Sequence, residues 1–131
     1  MEVYLTKWMA RYSRREGISR ESLRNAIWRA EAGLIDADLG GGLVKQRVAR
    51  EGKGRSGGYR TIIAYRRANR AVFLYGFAKS ERENVTPDDL RLVRETGAIW
   101  LAAGEAQISR GVASGELERL AYGSEETEPH R

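Results

Sequence analysis

Cysteine is absent from this chain of 131 residues, which excludes disulfides, thiolate nucleophiles and cysteine metal sites. Histidine occurs once, as His130, next to the last residue, so the folded part offers neither a zinc site nor a histidine-based catalytic pair. No apolar run approaches the length of a membrane span, and the opening MEVYLTKWMARYSRREG lacks the apolar core of a signal peptide. A cytoplasmic protein without a membrane partner is expected. There is no internal repeat and no low-complexity tract. The acids do not gather into a metal site: Asp36 and Asp38 flank a glycine run and read as a polar turn, and Asp88 and Asp89 read as helix-start residues. No metal and no cofactor is expected.

What is there is a charged, moderately apolar composition, with 41% hydrophobic and 31% charged residues, that of one ordinary globular domain. The charge is unevenly placed. Between Lys45 and Arg82 eleven lysines and arginines face only Glu51 and Glu81, while the rest of the chain is net acidic. That concentration is an electrostatic footprint for a polyanion, nucleic acid first.

Local signals order the elements. Val3–Leu5 reads as a short strand, after which Thr6 caps a helix carrying Trp8, Met9 and Tyr12 and ending near Gly17. Ser19 opens a second helix with Leu23, Ala26, Ile27 and Ala30 at helical spacing, and Gly33 closes it. Residues 36–42 read as a loop. Residues 43–50 alternate, with Lys45 and Arg47 opposite Val44 and Val48, as in a half-buried strand. Residues 59–67 and 71–78 form a hairpin about Ala68-Asn69, with Phe73, Tyr75 and Phe77 sharing one parity. Thr86-Pro87-Asp88-Asp89 supplies a cap, a first-turn proline and first-turn acids for a third helix. Residues 108–113 suggest a further helix, and residues 117–122 a strand or helical turn. The class is α+β, a small antiparallel-rich twisted sheet with two N-terminal helices and a C-terminal helix packed on it. One sheet face is expected under the helices and the other left to the cations. The domain is expected to span residues 1–122, followed by a flexible acidic tail over 123–131.

The segment GKGRSGGYR, residues 52–60, packs four glycines with three cations. It lacks the GxxxxGK[ST] spacing and precedes a strand, which excludes a nucleotide phosphate loop. A strand connection whose edge handles phosphate fits better. Without histidine, RNA cleavage remains available. Arginines clamp the phosphate, and a lysine crowded by other cations has its pKa pushed down and can accept a proton.

Residues 42–90, GLVKQRVAREGKGRSGGYRTIIAYRRANRAVFLYGFAKSERENVTPDDL, resemble the branch of the RelE/ParE toxin superfamily whose members carry RxG(K/R)SGG(Y/F)Rx(I/L) followed by a YGF-K stretch. The two-helix start with DADLGGGLVKQR is also similar, so the resemblance covers nearly the whole chain except the tail. It implies a RelE-like fold and the toxin of a type II toxin–antitoxin system. The activity implied is that of a metal-independent endoribonuclease (mRNA interferase) that cuts mRNA on the ribosome. The implied partners are the ribosome, mRNA and a cognate antitoxin of helix-turn-helix type. Carried over by position, Lys45, Arg47, Arg60 and Lys79 are the catalytic set. Arg50, Lys53, Arg55, Tyr59, Arg66, Arg67 and Arg82 are RNA contacts. Some relatives place a C-terminal tyrosine or histidine at the cleaved bond. No equivalent is assigned here, Tyr122 being the nearest tyrosine in position, so the general acid and base are left open. Two alternatives stand beside this one, a ParE-like gyrase inhibitor and a non-catalytic basic nucleic-acid-binding module.

Overall fold

Residues 1–50 and 54–123 are described by the structure, a computed structural model, with the side chains of residues 54–56 excepted. The elements run β1 (Glu2–Thr6), α1 (Lys7–Glu16), α2 (Arg20–Glu31), β2 (Ala37–Gly40), β3 (Leu43–Arg50), β4 (Gly54–Arg66), β5 (Arg70–Ala78), α3 (Pro87–Ala102), α4 (Glu105–Ser114) and β6 (Leu117–Arg119). The expected α+β class holds. Each early helix starts where its cap predicts: Thr6 Oγ1 accepts from the Met9 amide at 3.2 Å and Ser19 Oγ from Ser22 at 3.0 Å. Thr86 does the same for α3, accepting from Asp89 at 3.1 Å, with Pro87 in its first turn. Gly17, at φ 73°, closes α1.

The strands order as β2-β3-β4-β5-β1-β6, antiparallel throughout except for the parallel β1–β5 pair. Two elements depart from the sequence reading. The DADLGGG loop contains the edge strand β2, turned into β3 by Gly40, Gly41 and Gly42, all at positive φ. Strand β4 begins at Gly54, so the GRSGGYR part of GKGRSGGYR is strand, not loop. Within it Gly58 is obligatory, because a Cβ there would meet the Val48 carbonyl oxygen at 2.3 Å.

The expectation of one open, cationic sheet face is corrected. Helices α1 and α2 cover one side, over Leu5, Val48, Ile63 and Phe73, while α3 and α4 cover the other, over Leu43, Ile62, Ala64 and Val72. The central strands carry apolar residues on both faces, as the unbroken runs TIIA and AVFL require once a helix lies on each side. Strand β5 also contains a bulge: Ile62 faces Tyr75, yet Ile63 faces Phe73, leaving Leu74 as the extra residue. The shared parity expected for Phe73, Tyr75 and Phe77 therefore breaks. Phe73 packs under α1 and α2, whereas Tyr75 lies on the α3 side.

Candidate functional site

The alternation of β3 places Leu43, Lys45 and Arg47 on the α3 side of the sheet, and that of β4 does the same for Arg60, Ile62 and Ala64. Register then builds two rows across three strands, Lys45–Ile62–Tyr75 and Arg47–Arg60–Phe77. Helix α3 starts beside the first row, where Tyr75 donates to Asp89 Oδ2 at 3.0 Å, and runs away from the second. The cations therefore occupy the end of the face that α3 leaves uncovered.

Arg47 and Arg60 are directly opposed, an arrangement that brings Cβ atoms to about 5 Å and is destabilising for like charges. Little neutralises it. Arg47 Nε lies 3.7 Å from Asp36 Oδ1, at one edge. Arg60 is half-buried, and its Nη1 is buried with no hydrogen-bond partner among the described residues. A buried donor left unmade costs about 1–3 kcal/mol, more when charged, unless a ligand completes it.

Side chains from outside the sequence-predicted set hold this strand end in place. Gln46, fully buried on the opposite face, donates to the carbonyls of Ala26 and Leu34 and accepts from the Asp36 amide at 2.7 Å. Asp36 Oδ2 accepts from the Arg47 amide at 2.7 Å, and Arg29 donates to the Arg47 carbonyl. The loop after β5 closes the other side. Lys45 Nζ donates to Asn84 Oδ1 at 3.2 Å, and Arg82 donates to the Tyr75 hydroxyl at 3.3 Å with its guanidinium 6.0 Å above Phe77. Burial, reinforced by the bond to Asp89, raises the Tyr75 pKa and keeps the phenol protonated. Lys79 follows β5 directly, its amide donating to the Gly58 carbonyl at 3.0 Å, so it continues the ladder past the Arg60–Phe77 pair.

The remaining predicted contacts divide. Arg50 is exposed at the end of β3, 5.8 Å over the Tyr59 ring. Arg66 and Arg67 are exposed at the far hairpin tip, about 20 Å along the strand from Arg60 at 3.3 Å per residue. Tyr59 is not on the cationic side: it is 2% exposed in the α1/α2 core, its hydroxyl donating to Glu16. Tyr122 packs against that same core. Lys53 and the side chain of Arg55 lie outside the described residues, as does the tail beyond Gly123. Asp36, Arg29, Asn84 and Asp89 were missed or read as turn and cap residues, because their partners are distant in sequence. No group of three or more histidine, aspartate or glutamate side chains is placed to hold a metal among the described residues.

The chain is thus a small α+β protein whose sheet is roofed by helices on both sides, with a cationic row at one uncovered end in which Arg47 pairs with Asp36. The family model described as the RelE toxin of the RelE/RelB toxin–antitoxin system matches residues 1–120, and the chain belongs to that family. It is thus the toxin of a toxin–antitoxin system, and the family implies an antitoxin partner. No curated protein and no solved structure matches it significantly. No helix among the described residues is long and apolar enough to cross a membrane.

Proposed function

We propose that the chain is a metal-independent endoribonuclease that cuts mRNA on the ribosome and so stops translation. The observation that carries this reading is Arg60, which faces Arg47 across the sheet and whose buried Nη1 has no partner among the described residues. In the reaction the 2′-oxygen of one nucleotide bonds to its own 3′-phosphorus and loses its proton. The bond to the next nucleotide's 5′-oxygen breaks, and that oxygen gains a proton. The products are a 2′,3′-cyclic phosphate and a 5′-hydroxyl. Arg47 and Arg60 hold the non-bridging oxygens as their charge grows, the step at which fixed donors contribute most. Lys45 and Lys79 flank the pair. The acid and base are weaker than a histidine pair, so the ribosome supplies the alignment and naked RNA is a poor substrate. The cognate antitoxin, of helix-turn-helix type, neutralises the row with acidic residues or occludes it.

Pulse labelling after induction without antitoxin tests the target. Methionine incorporation is expected to collapse before thymidine incorporation. The reverse order would move the target to DNA gyrase, and unimpaired growth would leave a binding module.

A further inference from the structure

Charge counted along the sequence hides a second basic surface. Residues 7–24 carry six cations against Glu16 and Glu21, and α1 displays Lys7, Arg11 and Arg14 at i, i+4 and i+7, all exposed. That stripe spans about 10 Å at 1.5 Å per residue. It forms one wall of a cleft of about 430 Å³, closed on the other side by Arg119 of β6 and Val112 of α4. The cleft holds a single acid, Glu118. Hydrogen bonds from Arg20 first and Arg14 next hold its carboxyl below the usual range against the opposing effect of burial, so it stays ionised but is shared between two guanidiniums. Lys7 and Arg11 have no side-chain partner among the described residues. A lysine in the first turn of a helix opposes the helix dipole, so helix stability does not explain Lys7.

We propose that this α1–α4 cleft is a second phosphate-backbone site, which grips the sugar–phosphate rails of a double-stranded RNA while the Arg47–Arg60 row takes a single strand. The inference goes beyond the nuclease reading, because it concerns binding at a separate surface. Three observations select the ligand. The cleft wall is a cationic stripe long enough to meet more than one phosphate. Its lining contains no aromatic side chain among the described residues, whereas single strands are held by stacking platforms. Duplex RNA is recognised through shape and backbone, which needs charge and no stacking. The chain also has a contrasting surface of the protein-binding kind, the groove of Trp8, Leu74, Leu92 and Val93, apolar and aromatic where the cleft is charged.

The test uses the full chain and a fluorescein-labelled RNA duplex of about 16 base pairs, the span a backbone-reading domain covers. Anisotropy titrations are run between about 50 and 200 mM salt. Lys7→Gln/Arg11→Gln is expected to bind about 10-fold more weakly, with the slope of log K against log salt reduced by about one unit per lost phosphate contact. Arg11→Lys should restore most of the binding, and Arg91→Gln, exposed on α3 and outside both sites, should leave the duplex slope unchanged. Arg11→Gln alone, mid-helix and solvent-facing, decides the matter if the double variant melts early. An unchanged slope in the folded Lys7/Arg11 variant overturns the proposal. So does retained duplex binding with lost affinity for a polyglutamate peptide, which would assign the cleft to an acidic protein. If the chain failed to arrest translation yet showed these duplex slopes, the nuclease reading would fall and this one would stand.

Discussion

Among the arginines on the α3 side of the sheet, Arg60 and Arg70 lie at opposite ends and have opposite partners. Arg70, at the end that α3 covers, is 11% exposed, donates to the carbonyls of Trp100 and Ala103 at 2.9 and 2.8 Å and pairs with Glu2 at 3.2 Å. It caps the last turn of α3, where cations are favoured. Both are opposed by an arginine, Arg70 by Arg66 and Arg60 by Arg47, but Arg60, at the uncovered end, has a buried nitrogen with no partner among the described residues. Residue type and burial are similar. The partners differ, and the proposed role of Arg60 in holding phosphate rests on that difference.

Substituting each arginine in turn should break the comparison in opposite directions. Arg60→Ala is expected to lower mRNA cleavage on 70S complexes by about 10²–10³, the usual cost of losing one charge-stabilising donor. Its melting temperature should stay level or rise, since a like-charge pair is relieved. Primer extension with parallel thermal melts reads both quantities, and a folded Arg60→Ala that cuts like the parent removes the row from the chemistry. Arg70→Ala should do the reverse. Leaving two helix-end carbonyls and Glu2 without their charged donor should cost about 2–3 kcal/mol in chemical denaturation. Cleavage per folded molecule should be unchanged well below the melting point. A stable but inactive Arg70→Ala would show that the closed end takes part in the site.

The sequence disclosed these two arginines unequally, for physical reasons. Caps are local chemistry, so Thr6, Ser19 and the Thr86-Pro87 start were readable without a fold. Lys45, Arg47 and Arg60 were readable as one side of two strands, because strand parity is a period of two and those strands are regular at these positions. The bulge at Leu74 reverses the parity of β5 through pairing with β4, which no residue of β5 announces. Burial on both sheet faces was signalled by the continuous runs TIIA and AVFL, but the helix that takes the second face is chosen by packing: Gly97 of α3 sits where a Cβ would already be 3.1 Å from Leu43 and Leu74. Tyr59, expected as an RNA contact, adjoins Arg60 in β4, and neighbours along a strand point to opposite faces. The Arg29–Asp36–Gln46 anchoring of β3 and the Arg82–Tyr75–Asp89 contact join distant segments, so spacing could not reveal them.

Arg60 Nη1 shares its condition with one other described side-chain atom, the hydroxyl of Tyr12, also buried and unpartnered. If a missing partner always marked a ligand site, both would bind something. The surroundings argue otherwise. Tyr12 is neutral, stacks on Trp8 at 5.1 Å with Arg15 5.2 Å from its ring centre, and meets the edge of Tyr59. Its hydroxyl is a cost of packing rather than a site, and Tyr12→Phe should keep the shape and remove the cost. The variant is expected to gain up to about 1 kcal/mol at neutral pH with cleavage unaltered. Alkali sharpens the test. Burial first, and then the Glu16 carboxylate, push the Tyr12 pKa from its ordinary 10.0 up to about 12. The folded state therefore holds this proton more tightly than the unfolded state does, so the stability tied to it is complete below pH 10 and is lost as pH rises through about 12. Denaturation of parent and Tyr12→Phe across that interval should show the parent declining more steeply. Parallel declines would mean that the folded state holds the Tyr12 proton no more tightly than the unfolded one. A variant weakened by more than about 1 kcal/mol at neutral pH would mean that the hydroxyl has a partner, leaving Arg60 Nη1 alone among the described buried side-chain atoms in lacking one.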